Sequence, residues 1–370
     1  MTELDNLQKL YSFGEDIQLK SGPFGKYVVN KVKKDIGDII LQSDRPICYG
    51  VQPFLVPLVC ITCFKEFDQT SKTNSNSKDI KSKKKSGSTK SLPYSCNQCD
   101  QVYYCSLECR DYSLAHPLEL HNNMECLALR NLKIPANTFT FHQITEIRMM
   151  INLFSKLAYI TADSDREYLQ HQYEQIQHLI GEFGNTDAFS KEDLKMIKKM
   201  AHIIRRSFQM YHYELDDGVV EEMLAKSQRN CFGIWKNFEQ SLGLAMYPSS
   251  SFFNHSCYPN CCRVQFGAFI KILPIRPIDE NEELNISYIS VNQSQHERKS
   301  ILLEGYCFEC QCTRCKLPTT SETLQTIENV IQNYLCKNKK VKCSGYMVMN
   351  NETNLKYCNF CKWNDPTTPK

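Results

Sequence analysis

Several features that define whole classes of protein are absent from this 370-residue sequence. It contains no run of 18 apolar residues, so no membrane span is expected. The N-terminal residues lack the basic start and apolar stretch of a secretory signal. Its 14 glycines and 14 prolines are too few for a collagen-like or low-complexity chain. We therefore expect a protein of the cytoplasm, the nucleus or both, not secreted, with enough chain to bury a sizeable core.

A large excess of basic residues over the chain as a whole is absent as well. The net charge is +3, but residues 68–91 carry seven lysines against two acidic residues, which leaves −2 on the other 346 residues. Because nucleic-acid-binding domains present a basic surface, direct binding of nucleic acid is disfavoured. Residues 68–91 are rich in Ser, Lys and Asn and predict a disordered loop, either a solvated insertion or a nuclear-import contact.

Cysteine, in contrast, is abundant, with 20 residues. Disulfides are not expected, because the cytosol keeps thiols reduced. Pairs of cysteines separated by two residues recur along the chain, a spacing that lets a tight turn aim two thiolates at one tetrahedral Zn²⁺. Four such pairs are Cys60/Cys63, Cys96/Cys99, Cys312/Cys315 and Cys358/Cys361. Redox centres or chance could explain one pair, but four pairs within larger clusters predict zinc sites.

The hydrophobic pattern predicts both strands and helices. Residues 24–59 contain the runs YVVN, DIIL and PFLVPLV, which predict short strands. Residues 142–228 place apolar side chains at helical spacing, and after Asn230 the runs AFIKILPI and ELNISYI alternate as strands do. A short helical run begins at Leu324. The pattern therefore favours an α+β fold.

The first cysteine cluster resembles the MYND finger in its order of seven cysteines and one histidine, although the spacer between its first two pairs is longer than in that family. The resemblance implies two Zn²⁺ sites with alternating ligands and a finger that binds proline-containing peptides. One site would use Cys60, Cys63, Cys105 and Cys109, and the other Cys96, Cys99, His121 and Cys126. His116 is the alternative to His121.

Three later motifs resemble those of the SET-and-MYND (SMYD-type) protein-lysine methyltransferases. Asn254-His255-Ser256-Cys257-Tyr258-Pro259-Asn260 is similar to that family's NHSCxPN motif. Asn281-Glu282-Glu283-Leu284, followed by Ile286 and Tyr288, is similar to GEELxIxY with Asn in place of Gly. The run Tyr306-Cys307-Phe308-Glu309-Cys310 opens a segment similar to YCFECxCxxC. The order of these motifs also agrees with the family.

The resemblance implies a small-β-sheet SET domain of the β-clip type with an inserted MYND finger, a helical insert and a cysteine-rich post-SET segment. The expected parts are the N-terminal part of the SET domain (1–59), the MYND finger with its disordered loop (60–126), the helical insert (127–229), the SET core (230–290), the post-SET segment (291–320) and a C-terminal helix with a zinc ribbon (321–370).

The resemblance also implies S-adenosylmethionine as methyl donor and the side chain of a protein lysine as acceptor. This in-line displacement depends mostly on positioning. Tyr288 and Tyr306 are the expected catalytic residues, Tyr288 beside the transferred methyl and Tyr306 at the lysine channel. The expected cofactor contacts are Asn254, His255, Tyr288, Phe308 stacked on adenine, Asn230, and Gly22 and Gly25. The last two lie in a turn, Ser21-Gly22-Pro23-Phe24-Gly25, that departs from the family's G-x-G-L loop.

Two further zinc sites complete the prediction. By resemblance, Cys257, Cys310, Cys312 and Cys315 would hold a third ion that pins the post-SET segment against the cofactor pocket. By spacing, Cys336, Cys343, Cys358 and Cys361 predict a fourth, ribbon-like site, the alternative being a flexible end with incidental cysteines.

The sequence as a whole predicts a monomeric protein-lysine N-methyltransferase that acts on a histone or another protein. The alternative is a catalytically inactive SET/MYND adaptor that binds proline-containing peptides of partner proteins. The presence of Asn254, His255, Tyr288 and Tyr306 favours the enzyme, and the irregular turn at Gly22 and Gly25 favours the adaptor.

Overall fold

The structure is a computed structural model that describes residues 2–67, 94–159, 163–181, 183, 189–209, 213–236, 240–341, 343–350 and 352–366. The loop predicted for residues 68–91 lies outside the described residues. Within the described residues, no helix is long and apolar enough to cross a membrane.

The N-terminal part is built from a helix and four short strands: α1 (Glu3–Leu10), β1 (Ile17–Gly22), β2 (Gly25–Asn30), β3 (Leu41–Gln42) and β4 (Cys48–Val51). β1 and β2 form an antiparallel hairpin. The strand predicted for PFLVPLV is wrong, because Pro53–Leu58 forms a 3₁₀ helix. Pro53 and Pro57 each lack the N–H that a strand ladder requires, which explains the difference.

In the part of the finger region that the structure describes, two very short strands and two helices occur: β5 (Tyr94–Ser95), β6 (Tyr103–Tyr104), α2 (Leu107–Ala115) and α3 (Asn123–Asn131). Each helix begins at a side chain that caps a backbone N–H. Ser106 accepts from the amide of Cys109, and Asn122 accepts from the amide of Glu125. The caps place Cys109 and Cys126 in the first turns of α2 and α3.

The helical insert follows, with α4 (Phe141–Ala158), α5 (Asp163–Gln177), α6 (Lys191–Gln209) and α7 (Val219–Asn230). Helix α4 begins with a capping box between Thr140 and Gln143, and most of its side chains are buried. It packs directly on β4, where a Cβ at Gly50 would lie 2.2 Å from the carbonyl oxygen of Thr145. Only glycine permits this approach.

The strands after Asn230 form small sheets rather than one large one. Strand β4 pairs with β8 (Ser241–Met246), which pairs with β7 (Cys231–Trp235). A second sheet has the order β10 (Cys261–Phe266), β11 (Phe269–Pro274), β3. Strands β9 (Asn254–His255) and β12 (Asn285–Ile286) form a parallel pair of two residues each. Segments from both halves of the chain therefore combine in this region.

The C-terminal part contains α8 (Gln295–Tyr306), α9 (Thr313–Lys316), α10 (Glu322–Tyr334), β13 (Met347–Asn350) and β14 (Leu355–Cys358). Strands β13 and β14 pair antiparallel. One buried cluster joins Val264 of β10, Ile331 of α10 and Val348 of β13. A larger cluster runs from Leu7 to Ile286 and includes residues of the finger and the helical insert. The parts expected from the sequence therefore share cores instead of each having its own.

Candidate functional site

The first two sequence motifs meet at the short parallel strand pair. Asn254 lies beside Asn285, and His255 lies beside Ile286. The Asn254 side chain donates a hydrogen bond from Nδ2 to Oε1 of Glu283, 3.0 Å away. Asn254 and His255, two of the predicted cofactor contacts, are therefore held at a crossing of two chain segments.

Asn260, at the end of the first motif, is completely buried and fastens this crossing. Its Nδ2 atom donates to Glu282 Oε1 at 3.0 Å and to the Glu283 carbonyl at 2.8 Å, and its Oδ1 atom accepts from the Asn285 amide at 2.9 Å. Asn281 has φ 63°, a left-handed conformation that Gly and Asn tolerate best. This explains how Asn can stand at a position where the related motif usually has Gly.

The ring of His255 connects the crossing to Tyr288. The Tyr288 amide donates to Nδ1 of His255 at 3.0 Å, so the proton of the neutral ring lies on Nε2, which faces the Cys257 sulfur at 3.3 Å. Burial lowers the pKa of His255 to about 4, which keeps the ring neutral at pH 7. Because both ring nitrogens already have partners within the protein, a cofactor contact at His255 would be made by its backbone groups.

Tyr288 and Tyr306 lie side by side, with ring centroids 5.1 Å apart. The Tyr288 hydroxyl donates to the carbonyl of Phe253 at 3.0 Å, and the Tyr306 hydroxyl donates to the carbonyl of Tyr288 at 3.3 Å. Burial raises the pKa of both phenols. Both hydroxyls are therefore protonated at neutral pH and suited to hold a polar group in place rather than to remove a proton.

A cavity of about 340 Å³ opens beside these two tyrosines. Its wall also contains Asn230, Phe253 and Arg263. The volume is within the range of small-molecule sites, and the mixture of aromatic and polar side chains is typical of such sites. Tyr288, Tyr306 and Asn230, three predicted site residues, are thus brought together.

Asn230 is almost completely buried at the end of α7. Its Nδ2 atom donates to the carbonyls of Ile180 at 2.7 Å and Lys226 at 2.8 Å. The assignment of nitrogen and oxygen follows from these two carbonyl partners. Since both amide hydrogens are used, Oδ1 is the atom that Asn230 can offer to a ligand with a hydrogen-bond donor.

Other predicted cofactor contacts lie outside the described wall of the cavity. The Phe308 ring centroid is 6.0 Å from that of His255, and Phe308 and Tyr306 both pack against a small cluster that contains Cys257. Gly22 and Gly25 pair with each other at the tip of the β1–β2 hairpin, where Gly25 has φ 102°. The structure does not bring these two glycines to the cavity, and their role stays a prediction.

The predicted zinc ligands form four compact groups. In each group of four residues the candidate ligand atoms lie within 4.8 Å of one another, so that each group could hold a metal ion. The groups are Cys60, Cys63, Cys105 and Cys109; Cys96, Cys99, His121 and Cys126; Cys257, Cys310, Cys312 and Cys315; and Cys336, Cys343, Cys358 and Cys361.

Three of the Cys-x-x-Cys pairs fold into the same turn. The residue after the second cysteine is left-handed in each case: Phe64 has φ 55°, Asp100 has φ 50° and Lys362 has φ 57°. Its amide donates to the carbonyl of the first cysteine at 2.8, 2.9 and 3.1 Å, respectively. This repeated turn directs two sulfur atoms of each pair to one point, as tetrahedral Zn²⁺ requires.

His121, and not His116, belongs to the second group. Its Nε2 atom lies 3.7 Å from the Cys99 sulfur, and its Nδ1 atom lies 2.7 Å from Glu125 Oε2. A carboxylate behind the ring orients a metal-binding histidine in this way. His116 instead stacks on the Tyr112 ring, with centroids 3.9 Å apart.

The third group joins the first motif to the post-SET segment. The Cys257 sulfur lies 3.9 Å from that of Cys310 and 3.6 Å from that of Cys315. Arg314, which is buried, donates to the carbonyls of Cys257 at 3.1 Å and Val291 at 2.9 Å. It also forms a two-point ion pair with Glu328 of α10 at 2.8 and 2.7 Å.

The fourth group is stabilised by amides directed at its sulfur atoms. The amide of Gly345 donates to Cys343 Sγ at 3.3 Å, and the amides of Phe360 and Cys361 donate to Cys358 Sγ at 3.4 Å. A Cβ at Gly345 would lie 2.6 Å from the Cys358 sulfur, so glycine is required here. The donor set fits Zn²⁺.

Several cavity residues were not anticipated from the sequence. Trp235 and Arg263 lie on β7 and β10, and Tyr346 and Phe360 come from the C-terminal part. Nothing in their local pattern separates them from ordinary strand or turn residues. The position of Phe360 between two zinc-ligand cysteines was the one available sign that this residue would be held rigidly.

Comparison with known proteins identifies the family of this chain. The model of the SET domain family matches residues 60–289. A SET domain-containing protein of Dictyostelium discoideum is 35% identical over 371 residues, which cover 92% of this chain and 92% of the relative. The small-sheet fold and the crossing of two motifs define this class, and the chain belongs to the SET domain family, in its SET-and-MYND (SMYD-type) group.

Two further relatives illustrate that group. A SET and MYND domain-containing protein of Dictyostelium discoideum is 27% identical over 323 residues, which cover 77% of this chain and 81% of the relative. The human histone-lysine N-methyltransferase SMYD3 is 30% identical over 222 residues, covering 60% of this chain and 48% of that enzyme. The predicted family and fold class are therefore confirmed.

Proposed function

We propose that this protein transfers a methyl group from S-adenosylmethionine to the side-chain amine of a lysine in a protein substrate. The observation that carries the proposal is the cavity walled by Tyr288, Tyr306 and Asn230. Tyr288 is also tied to the motif crossing through His255. The name of the human relative, a histone-lysine N-methyltransferase, supports the same reaction class.

S-adenosylmethionine, when bound, supplies an electrophilic methyl group. The residues present fit such a cofactor. Asn230 offers Oδ1 as an acceptor for an ammonium group, since its Nδ2 hydrogens already bond to carbonyls. Phe308, beside His255, offers a ring face for a base. The backbone at Asn254 and His255 remains for polar contacts.

The acceptor lysine must be neutral, although its free pKa is about 10.4. The described cavity wall contains Arg229 and Arg263 and no carboxylate. Both the cationic neighbours and the loss of solvent disfavour an ammonium group and favour the neutral amine. Because the phenols of Tyr288 and Tyr306 stay protonated, neither acts as a base at neutral pH. The lysine therefore loses its proton to water before the transfer.

The four metal groups serve structure in this proposal. Each supplies four ligands, which closes the tetrahedron of a Zn²⁺ ion and leaves no position for substrate. The third group holds Cys257 two residues from His255 and so fixes the post-SET segment beside the cavity. Four bound zinc ions per chain are the expected metal content.

The finger serves partner binding. Leu107, Tyr112 and Leu114 on α2 are exposed, Leu114 to 67%, and this apolar surface suits a proline-containing peptide. We further infer a monomer inside the cell, where its 20 cysteines stay reduced.

The test is isothermal titration of the zinc-replete protein with S-adenosylmethionine, followed by transfer of a labelled methyl group to arrays of lysine peptides. We expect micromolar binding and labelled peptides with the wild-type protein, and unchanged binding with labelling lowered about a hundredfold for Tyr288→Phe. Absence of cofactor binding and of labelling would reject the enzyme and leave the adaptor alternative, whose proline-peptide binding the same protein can be tested for.

A further inference from the structure

The segment that holds the fourth metal group, residues 336–362, is fastened to the SET core. We call this segment the ribbon. Asn359, which is buried, donates from Nδ2 to the Arg263 carbonyl at 2.9 Å and accepts the Tyr346 amide on Oδ1 at 2.7 Å. Tyr346 and Val348 pack in one cluster with Cys262 and Val264 of β10. The ribbon is therefore a fixed part of the core surface rather than a separate module.

This fixed ribbon supplies part of the cavity wall. Ser344, Tyr346, Asn359 and Phe360 line the same cavity as Tyr288. Asn359 and Phe360 are the two residues between the ligand cysteines of the last pair, so the turn geometry of the metal group fixes their backbone. The ribbon therefore contributes to the same cavity wall as Tyr288.

The cavity continues into a second, smaller one. This space of about 30 Å³ shares Trp235, Arg263, Asn359 and Phe360 with the larger cavity and adds Lys236, Gln265 and Lys362. It is large enough for a water or a carboxylate group. Lys362 follows Cys361 directly and has the left-handed turn conformation described above. The ribbon thus places Lys362 in the wall of the smaller cavity.

Arg263 and Lys362 bring positive charge to the walls of the two cavities. Lys236 is paired with Glu66. Arg263 donates to the carbonyl of Gly233 at 2.9 Å, and Lys362 donates to the carbonyls of Asn359 at 2.7 Å and Gln265 at 3.5 Å. In the described part of the chain, neither Arg263 nor Lys362 forms an ion pair, and no carboxylate lines either cavity. Burial also lowers the pKa of Arg263, so its charge would gain from an anionic partner.

We propose that the ribbon is the selectivity wall of the active site and that Lys362 and Arg263 select a substrate lysine with an acidic residue close to it in sequence. The substrate class is a lysine in an acidic peptide, with its carboxylate in the smaller cavity and its amine beside Tyr288. This inference rests on the proposed methyltransferase function, because it assigns the cavity to the substrate.

The experiment compares two peptide libraries with one central lysine, one with Asp and Glu at the flanking positions and one with Asn and Gln. Binding is measured by fluorescence anisotropy, and methyl transfer is measured separately. The proteins are wild type, Lys362→Glu, Lys362→Gln and Lys339→Glu. Lys339 is exposed on the same ribbon and lines neither cavity, so its variant controls for net charge.

Wild type and Lys339→Glu should bind and methylate the acidic library at least about fivefold better than the amide library, as for a partly exposed charge pair. Lys362→Gln should lose most of this preference and Lys362→Glu all of it, with unchanged affinity for S-adenosylmethionine as evidence of intact folding. Acid-selective binding that depends on Lys362, without transfer, would support the ribbon's role and reject the proposed function. Transfer without acid preference would overturn the inference alone, and absence of both binding and transfer would overturn both.

Discussion

Replacement of Asn260 by Ala should destabilise the motif crossing more than any exposed polar substitution. The change removes the bonds of Asn260 to the Glu283 carbonyl and the Asn285 amide, at 2.8 and 2.9 Å. The Glu283 carbonyl keeps a bond from Nδ2 of Asn285 at 3.2 Å, whereas the Asn285 amide loses its bond to Asn260. An unsatisfied buried amide costs about 1–3 kcal/mol. Glu282 loses one bond but keeps Arg276 at 2.7 Å. A loss of about 2 kcal/mol is therefore expected for Asn260→Ala.

The urea midpoint of unfolding, followed by circular dichroism, measures this loss of stability. Titration with S-adenosylmethionine measures whether the cavity still binds the cofactor. We expect a lower midpoint at an unchanged slope, at least tenfold weaker cofactor binding and an unchanged zinc content. Asn292→Ala, at an exposed asparagine outside the crossing, is the matched control and should change the stability by less than about 0.5 kcal/mol. If Asn260→Ala costs less than about 1 kcal/mol, the crossing is not held in the way described.

Three further predictions concern other parts of the molecule. Tyr288→Phe, which removes the hydroxyl bonded to the Phe253 carbonyl, should lower methyl transfer by about a hundredfold at unchanged cofactor affinity, and normal turnover would contradict its role. Cys310→Ser should lower the zinc content measured by mass spectrometry from four ions to three and weaken cofactor binding; a content of four would disprove the third site. Glu146→Gln tests linkage between pH and stability. Burial raises the pKa of Glu146 to about 8, so the folded state holds a proton that the unfolded state releases above pH 4.5, and wild-type stability falls as the pH rises to 8. Urea midpoints at pH 5.5 and 7.5 should show a smaller fall for Glu146→Gln, and equal falls would refute the shift.

The sequence predicted the parts of the site whose chemistry is written in local motifs. A Cys-x-x-Cys spacing already contains the turn that directs its sulfurs, and the three left-handed residues after these pairs are its geometric result. The motif containing Tyr288 carries its own turn at Asn281. Local spacing alone therefore predicts both turns, without information on long-range contacts.

Long-range packing could not be predicted in the same way. The ribbon's approach to the cavity depends on contacts between Asn359 and Arg263, which are 96 residues apart. Likewise, whether PFLVPLV becomes a strand depends on finding a partner strand, and its prolines prevent this. The irregular turn at Gly25 had a local signal, but only the fold shows that it closes a hairpin outside the described cavity wall.

The ion pair between Arg314 and Glu328 determines where this chain can be divided. Arg314 lies in the segment beside the cavity, whereas Glu328 lies on α10, which a domain map would assign to a dispensable tail. A chain truncated before α10 would lose this counter-ion, and breaking a buried ion pair by removing one partner costs about 3–5 kcal/mol. The smallest autonomous unit with this cavity therefore extends past residue 328, and α10 belongs to the same folding unit as the motif crossing.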